Sequence, residues 1–230
     1  MSAVRRQGLR SIEPKPTQSA RSNTTYDRLL LVAAELFWQR GYEATTTRDL
    51  AQAMGLQKAS LYHHITRKED VLFDLCKLAI ERLNAAVAAT VSEGTPPLEQ
   101  LQSLIETHME VVLRDRQLQV GVLNEFRYLS SDHWAAVVSM RDSYQSTVRS
   151  IIESCQRNGV LRKDISPATL TLALLDLLNW AIFWFKPEGP MTPTMIARSF
   201  AAIFLDGAVE RSESKGPKQT SSRPIRPRPK

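Results

Sequence analysis

The sequence has 230 residues, 43% of them hydrophobic, so it can bury one sizeable core, or one core and a small satellite domain of about 50 residues. Its net charge of +6 is concentrated at the two ends, where residues 1–22 hold five basic side chains against Glu13 and residues 211–230 hold seven against Glu213. The remainder is acidic, so the net charge alone does not indicate a surface for nucleic acid.

Both ends are rich in Ser, Pro, Arg and Lys and predict disordered basic segments over 1–22 and 211–230. They either add salt-dependent affinity for DNA or are simply solvated termini. No apolar stretch follows the basic opening, and Asp176 and Asn179 interrupt the most apolar segment before it reaches the roughly 18 residues that cross a bilayer. We therefore expect a cytoplasmic protein with no membrane partner.

The N-terminal part predicts a helix followed by a short capped helix. Apolar residues recur at helical spacing from about 24 to 40, and Gly41 follows as a helix stop. Thr46 and Asp49 have the spacing of a capping box at the start of a short helix, and Gly55 supplies the turn after it.

A second short helix is predicted over about 58–64, and a long helix follows it. Thr66 and Glu69 have the spacing of another capping box at the start of the long helix, which ends before Gly94.

Beyond residue 97 every segment has a helical period, and no strand pattern appears. The breaks carry turn chemistry: Asn158-Gly159 is a helix stop, Ser166-Pro167 is an N-cap followed by a proline, and 186–190 is a loop. The predicted helices span about 97–114, 117–129, 132–157, 166–185 and 192–210. The sequence therefore predicts an all-α protein of about nine helices.

Residues 46–65 have the composition of a helix-turn-helix, in which the second helix enters the major groove and the first braces it. Their apolar residues can pack a small core, with Ala51 small enough to let the two helices cross closely. The residues left facing outward can form hydrogen bonds or carry positive charge: Arg48, Gln57, Lys58, Ser60, Tyr62, His63, His64 and Lys68.

These residues carry a resemblance to a known family. The run TTTRDLAQAMGL over 45–56, the run LYHHI over 61–65 and the Lys68-Glu69 pair together resemble the DNA-binding signature of the tetracycline-repressor family. The resemblance covers about 24–75 and departs at Gln57, where family members usually carry a better N-cap.

The resemblance implies specific roles for the outward residues. Those that match base-reading positions are Arg48, Lys58, Ala59, Ser60 and His63, and those that match phosphate-binding positions are Thr47, Tyr62, His64 and Lys68. Thr46 and Gln57 complete the predicted DNA-binding set. The chemistry agrees, because Lys reaches guanine acceptors and hydroxyl groups bind phosphate.

Each of these residues also has an ordinary alternative. The hydroxyl of Tyr62 could simply face water, and His63 and His64 could be plain surface residues. A metal site at the two histidines is disfavoured, because adjacent helical residues diverge by about 100° and no further ligand converges on them.

The resemblance also implies a domain organisation. Residues 23–70 form the helix-turn-helix domain and 71–210 a domain for ligand binding and dimerisation. Segments 166–185 and 192–210 are more apolar than a domain of this size readily covers. The resemblance implies that these segments form the four-helix interface of a homodimer. The alternative is an internal core pair.

A further set of residues is similar to the branch of the family that senses acyl-CoA thioesters. The set consists of the run NEFRYL over 124–129, the pair Asn179-Trp180, Trp184, the run KPEG over 186–189 and Gly207. Several polar residues fall within the apolar helical pattern and could fix one end of a ligand in a cavity between helices. The predicted ligand-binding set is His108, Asn124, Arg127, Tyr144, Asn179 and Trp180. Alternatively, Arg127 pairs on the surface and the tryptophan is structural.

The sequence thus predicts a ligand-responsive transcriptional repressor that binds double-stranded DNA at a palindromic operator as a dimer and is released by a small, mostly apolar effector. The alternative is an all-α enzyme or a small-molecule carrier without DNA binding. No nucleophile–base pair, glycine-rich phosphate loop or metal motif stands out, and Cys76 and Cys155 lack ligand spacing. We therefore expect no catalysis, no cofactor and no metal.

Overall fold

The structure, a computed structural model, describes residues 18–90 and 94–208. The predicted disordered tail 211–230 and most of the predicted basic arm 1–22 lie outside the described residues. Residues 18–22 are the exception, because they form the beginning of the first helix.

The described residues form α-helices and one 3-10 helix, with no β-strand among 18–90 and 94–208, which confirms the predicted all-α class. The helices before residue 91 are α1 Gln18–Arg40, α2 Thr47–Met54, α3 Lys58–Leu61 and α4 Lys68–Thr90. The later helices are α5 Pro97–Arg114, α6 Arg116–Leu123, the 3-10 helix Glu125–Tyr128, α7 Ser131–Arg157, α8 Pro167–Asn179, α9 Ala181–Trp184 and α10 Pro193–Ala208.

Four of the predicted helices differ from the observed ones. The predicted helix 117–129 is interrupted at Asn124, which separates α6 from the 3-10 helix. Helix α1 begins at Gln18, about one and a half turns before the predicted start. Helix α3 ends at Leu61 rather than at residue 64, and residues 62–64 continue as turns. The predicted helix 166–185 is interrupted at Trp180, which separates α8 from α9.

The predicted capping box of α2 is present. The side chain of Thr46 accepts a hydrogen bond from the backbone N–H of Asp49 (3.2 Å), and the Asp49 carboxylate accepts one from the backbone N–H of Thr46 (2.7 Å). Gly55 ends the helix at φ 70°, a left-handed conformation that a side chain disfavours. Thr46 and Gly55 therefore fix both ends of α2.

The predicted capping box of Thr66 and Glu69 is wrong by one residue. The Asp70 carboxylate, not that of Glu69, accepts a hydrogen bond from the backbone N–H at the start of α4, which belongs to Arg67 (2.8 Å). The reason is that Asp70 satisfies the N–H locally while Glu69 binds residues far away in the sequence.

By packing, the chain divides into two compact units. The first contains 18–84 and 114–142 among the described residues, and the second contains 85–90, 94–113 and 143–208. These units differ from the predicted domains 23–70 and 71–210, because the helix-turn-helix shares its apolar core with α6 and the start of α7.

Each unit has its own buried apolar residues. In the first unit, the largest fully buried side chains are Leu29, Phe37, Leu50, Leu61, Leu72 and Leu75. In the second they are Leu101, Leu104, Ile105, Met109, Ile152 and Leu161. The two cysteines are buried and free, one in each unit.

The stretch Pro167–Trp184 is long and apolar enough, by composition, to cross a membrane, so the expectation that Asp176 and Asn179 interrupt this segment too early is wrong. Composition and length are weak evidence for a membrane span, because packed helices meet the same criteria. Only 33% of the stretch is buried inside the chain, so it presents a large apolar surface.

Candidate nucleic-acid interface

The helix-turn-helix (residues 46–65) places its apolar residues inside and its polar residues outside. Leu50 and Ala51 of α2 and Leu61 of α3 are buried in the core of the first unit, and Ile65 closes the motif. Because α3 has only four residues, this packing rather than its own hydrogen bonds holds it in place.

None of the eleven predicted DNA-binding residues is buried. The exposed ones are Thr46, Arg48, Gln57, Lys58, Ala59, Tyr62 and His63, and the half-buried ones are Thr47, Ser60, His64 and Lys68. The first ten of the set lie within the helix-turn-helix, on α2 and α3, at the N-caps of these two helices and in the turn after α3.

Two contacts join residues of the predicted set. The hydroxyl groups of Thr47 and Tyr62 lie 3.3 Å apart, which links the start of α2 to the end of α3. The Lys58 ammonium lies 6.0 Å from the centre of the Tyr62 ring. Gln57 makes no side-chain capping bond, in line with the weak cap expected at this position.

Lys68 differs from the other predicted residues because its ammonium is engaged within the chain. Its Nζ atom donates to the backbone oxygens of Tyr42 (2.7 Å) and Thr45 (2.8 Å), and it lies 3.9 Å from the centre of the Tyr42 ring. Burial lowers the pKa of Lys68 below its ordinary value.

Glu69 ties the start of α4 to the start of α7, an interaction that the sequence analysis missed. Its carboxylate accepts hydrogen bonds from the backbone N–H of Ser130 and from Nδ1 of His133, both at 2.8 Å. The hydrogen bonds from Ser130 lower the pKa of Glu69 to about 2, so the carboxylate is ionised and Nδ1 is the donor. The ring of Phe73 stacks on that of His133 at 4.2 Å.

A second set of long-range contacts joins the loop before α2 to the 3-10 helix. The rings of Tyr42 and Tyr128 stack at 5.3 Å, and the Tyr128 hydroxyl donates to the Glu43 carboxylate at 3.3 Å. The residues joined by these two sets of contacts lie more than 60 residues apart in the sequence, so neither local spacing nor periodicity could have predicted the contacts.

Three of the six predicted ligand-binding residues form a cluster in the second unit, in which His108 and Tyr144 are buried and Asn179 is half-buried. The His108 ring lies between the Tyr144 hydroxyl (2.8 Å from Nδ1) and Oδ1 of Asn179 (3.3 Å from Nε2). Burial lowers the pKa of His108 to about 4, so the ring is neutral at pH 7. Because Oδ1 can only accept, Nε2 donates to Asn179 and Nδ1 accepts from Tyr144.

The other three predicted ligand-binding residues are exposed. Asn124 and Arg127 belong to the first unit, where the Asn124 amide donates to Glu125 (3.2 Å) and the Arg127 guanidinium lies 5.1 Å from the Tyr128 ring centre. Trp180 in the second unit is 66% exposed. The structure therefore does not bring these three into the His108 cluster.

Gln119 is a buried polar residue that the sequence analysis overlooked. It lies on α6 among the buried residues Leu118, Val120 and Val122, and its Nε2 atom has no hydrogen-bond partner. It is the one such buried side-chain atom in the part of the chain that the structure describes. A glutamine within an otherwise apolar helix face is the sequence signal that could have found it.

The chain matches two family models that together cover most of its length. One, described as bacterial regulatory proteins of the tetR family, matches residues 29–75, and the other, described as a tetracyclin repressor-like C-terminal domain, matches residues 94–208. The chain belongs to the tetracycline-repressor family. The predicted resemblance is thereby confirmed and extends to the second half of the sequence.

Known relatives carry the names of regulators of this family. The transcriptional repressor KstR2 of Mycobacterium tuberculosis (strain ATCC 25618 / H37Rv) is 28% identical over 80% of this chain and 93% of the relative. The regulator PfmR of Thermus thermophilus is 37% identical, with a TM-score of 0.74 over 80% of this chain and 100% of that one.

A third similar protein was solved with ligands. AibR, in complex with isovaleryl coenzyme A and operator DNA, is 26% identical, with a TM-score of 0.72 over 78% of this chain and 97% of that one.

The described residues of the present chain contain no group of three or more metal-ligating side chains.

We predict that Glu69→Gln lowers the free energy of unfolding by about 1–3 kcal/mol at pH 7, because it removes the charge from two hydrogen bonds. Since the folded pKa of about 2 lies below the ordinary 4.5, the stabilisation is present above pH 4.5 and is lost as the pH falls towards 2. The difference between the variant and the wild type, measured by urea unfolding, should therefore be smaller at pH 3 than at pH 7.

The matched control is Glu81→Gln, because Glu81 lies on the same helix but is exposed and makes only a 3.8 Å ion pair with Lys77. An equal loss of stability in the two variants would contradict the assigned role of Glu69.

Proposed function

We propose that this member of the tetracycline-repressor family is a ligand-responsive transcriptional repressor that binds a near-palindromic operator as a homodimer. The observation that carries the proposal is the helix-turn-helix, whose polar side chains are exposed on a buried apolar core. The relatives named as repressors, and the solved complex of AibR with operator DNA, support it.

In this proposal α3 enters the major groove. Lys58, Ala59, Ser60 and His63 then face base edges together with Arg48, because side chains on a helix in the groove reach the donors and acceptors of the bases. Thr47, Tyr62, His64 and Lys68 hold phosphates, which fix the register without reading sequence. The 3.3 Å contact between the Thr47 and Tyr62 hydroxyls supports their joint placement on one phosphate strand.

The homodimer interface in this proposal consists of segments 166–185 and 192–210. Its support is the exposed apolar surface of the second unit, since a monomer rarely leaves so much uncovered. The exposed large apolar side chains of these segments are Leu172, Trp180, Phe183, Trp184, Met195 and Ile203. A dimer presents two copies of α3, which reach successive major grooves about 34–36 Å apart.

The proposed effector is a mostly apolar molecule with an anionic group, with an acyl-CoA thioester as the first choice. The complex of AibR with isovaleryl coenzyme A supports this class. A ligand lowers operator affinity only by as much as it prefers the conformation that cannot bind DNA. To lower operator occupancy from nearly complete to nearly zero, the effector must bind that conformation about 10⁴-fold more tightly than the DNA-binding one. This difference is roughly 5.5 kcal/mol, which two pockets per dimer can share.

Gln119 is a further proposed contact of the effector. A buried amide without a partner costs about 1–3 kcal/mol, and a ligand carbonyl oxygen would remove that cost by accepting its hydrogen bond. The His108 cluster, by contrast, is satisfied internally, so a ligand would have to exchange one of its hydrogen bonds.

A simple experiment distinguishes the proposed repressor from the alternative, an enzyme or carrier that does not bind DNA. The proposed repressor shifts its own upstream DNA in a gel, and Tyr62→Ala abolishes the shift. An enzyme or carrier would show neither effect.

We predict that Lys58→Ala costs about 1–3 kcal/mol per half-site on the preferred operator and relaxes preference at the contacted base, because a base contact depends on sequence. Fluorescence anisotropy on the operator and its single-base variants measures this. The control, Lys77→Ala, removes the same charge from an exposed site on α4. A uniform loss on all sequences with Lys58→Ala would mean that Lys58 does not read bases.

We predict that the protein is a dimer at micromolar concentration and that Ile203→Asp weakens the dimer, because Ile203 is 62% exposed on α10. Light scattering after size-exclusion chromatography reports the mass. Leu31→Asp is the matched control, because Leu31 is 54% exposed but lies on α1. A monomeric wild type, or equal effects of both variants, would count against the proposed interface.

We predict that Gln119→Met raises the free energy of unfolding of the ligand-free protein, because it replaces an unpaired buried amide by an apolar side chain of similar shape. The same variant should respond more weakly when operator-bound protein is titrated with acyl-CoA thioesters, fatty acids and neutral aromatic drugs. Gln117→Met, at a half-buried position of α6, is the control. Release by neutral drugs alone would overturn the thioester assignment, and a normal thioester response in Gln119→Met would overturn the contact.

A further inference from the structure

A groove of about 480 Å³ runs between α5 and α10 in the second unit. The residues that line it occupy positions i, i+3, i+4 and i+7 on each helix, counted from Glu99 on α5 and from Arg198 on α10. This spacing places the lining residues of each helix on a single face. Two of the lining residues of α10 are the small Ala201 and Ala202, which leave the space between the helices open.

The α5 side of the groove is acidic. Glu99 and Glu106 line the groove, and Glu110 continues the same face of α5, with all three side chains exposed. Helix α5 contains no lysine or arginine before Arg114, and Arg198 is the one basic residue that lines the groove. Among the described residues, no ion pair involves any of the three glutamates. The groove therefore offers carboxylates to a cationic partner.

The described part of the chain ends at Ala208, on the helix that forms the other wall of the groove. The backbone N–H of Arg162 donates to the Ala208 oxygen at 2.7 Å, and its guanidinium donates to the Gly207 oxygen at 3.4 Å. These hydrogen bonds hold the end of α10 against the loop before α8. The point from which the next residues leave is therefore fixed within the second unit.

The segment that follows, 211–230, has the charge and the length to occupy the groove. It holds seven basic side chains against Glu213. Arg198, at the far end of the groove, lies about 15 Å back along α10 from Ala208. Lys215 is seven residues after Ala208, so an extended chain carries it up to about 23 Å. The segment can therefore turn back along α10 and place its cations beside the glutamates.

We infer that the groove between α5 and α10 binds the basic segment 211–230 of the same chain and thereby withholds its cations from DNA. Exposed ion pairs are weak one at a time, but a tethered segment meets its site at an effective concentration in the millimolar range. A cation held by a glutamate cannot neutralise a phosphate at the same time, so groove and DNA compete for the segment. The docking does not depend on the proposed operator binding, whereas its effect on DNA does.

The first test is zero-length crosslinking of the full-length protein with a carbodiimide, which joins a carboxylate to a lysine amine in direct contact. We expect mass spectrometry to find Lys215 and Lys218 joined to Glu99, Glu106 or Glu110 at low salt. The exposed Glu81 and Glu188 are the control carboxylates and should give few crosslinks to these lysines. The crosslinks should disappear at about 1 M salt, because salt screens exposed charges.

Equal crosslinking to the control carboxylates, or crosslinks that persist at high salt, would overturn the inference. Unlabelled and isotope-labelled protein, refolded together, show which copy supplies the segment. Crosslinks that join labelled to unlabelled peptides would mean that the segment binds a second copy, which also overturns the inference.

The second test measures the effect on DNA by fluorescence anisotropy with a duplex of unrelated sequence at low salt. Replacing Glu99, Glu106 and Glu110 by glutamine should tighten binding at least about threefold, because the segment is released. The control is the same triple replacement in a full-length variant whose seven basic residues in 211–230 are glutamine. In that background we expect no more than the small change that follows from the net charge.

Equal effects in the two backgrounds would mean that the glutamates act only through net charge, and would overturn the inference. If the wild type binds no DNA, the proposed function fails, while the crosslinks still test the docking.

Discussion

The two helices of the helix-turn-helix are too short to be stable alone, and this constraint governs the first unit. Helix α2 has eight residues and α3 has four, well below the length at which isolated helices persist in water. Their geometry must come from elsewhere: the buried Leu50 and Leu61, the capping box at Thr46, and the two longer helices on either side. A surface that reads DNA can be rigid on such short elements only because the rest of the unit holds them.

The same constraint explains why the first turn of α4 carries so many long-range interactions. Lys68 binds the loop before α2, and the next residue, Glu69, binds the start of α7. Adjacent residues on one helix turn thus connect the DNA-binding helices to residues 125–133. A displacement of this segment would therefore also act on the helix-turn-helix through these contacts.

The fold was predictable from the sequence where the signal is local. Thr46 and Asp49 are three residues apart, and their capping box follows from spacing alone, as does the left-handed turn at Gly55. Thr66 and Glu69 have the same spacing, yet Asp70 takes the role because Glu69 has better partners 61 and 64 residues away. Sequence spacing shows which residues can interact, and only the tertiary structure shows which of the possible hydrogen bonds form.

The candidate sites show the same division. The outward-facing residues of the helix-turn-helix were identifiable because the polar side chains of a short amphipathic helix face solvent. The contacts that Lys68 makes within the chain could not be predicted, since its partners are backbone oxygens that no side-chain pattern displays. Among the polar residues predicted for the ligand, His108, Tyr144 and Asn179 came together, while Asn124 and Arg127 lie on the surface of the other unit. Helical periodicity shows which face of its helix carries each residue, but not which other helix packs against that face.

In the proposed function, the exposed face of α2 and α3 reads a specific, two-fold symmetric DNA sequence. The most direct test is selection of the full-length protein against a library of random duplex DNA at physiological salt, followed by sequencing of the bound fraction. We expect enrichment of one motif with two inverted half-sites whose centres lie one helical turn, or a multiple of it, apart. Recovery of DNA without any enriched motif, or of a single half-site without symmetry, would contradict it.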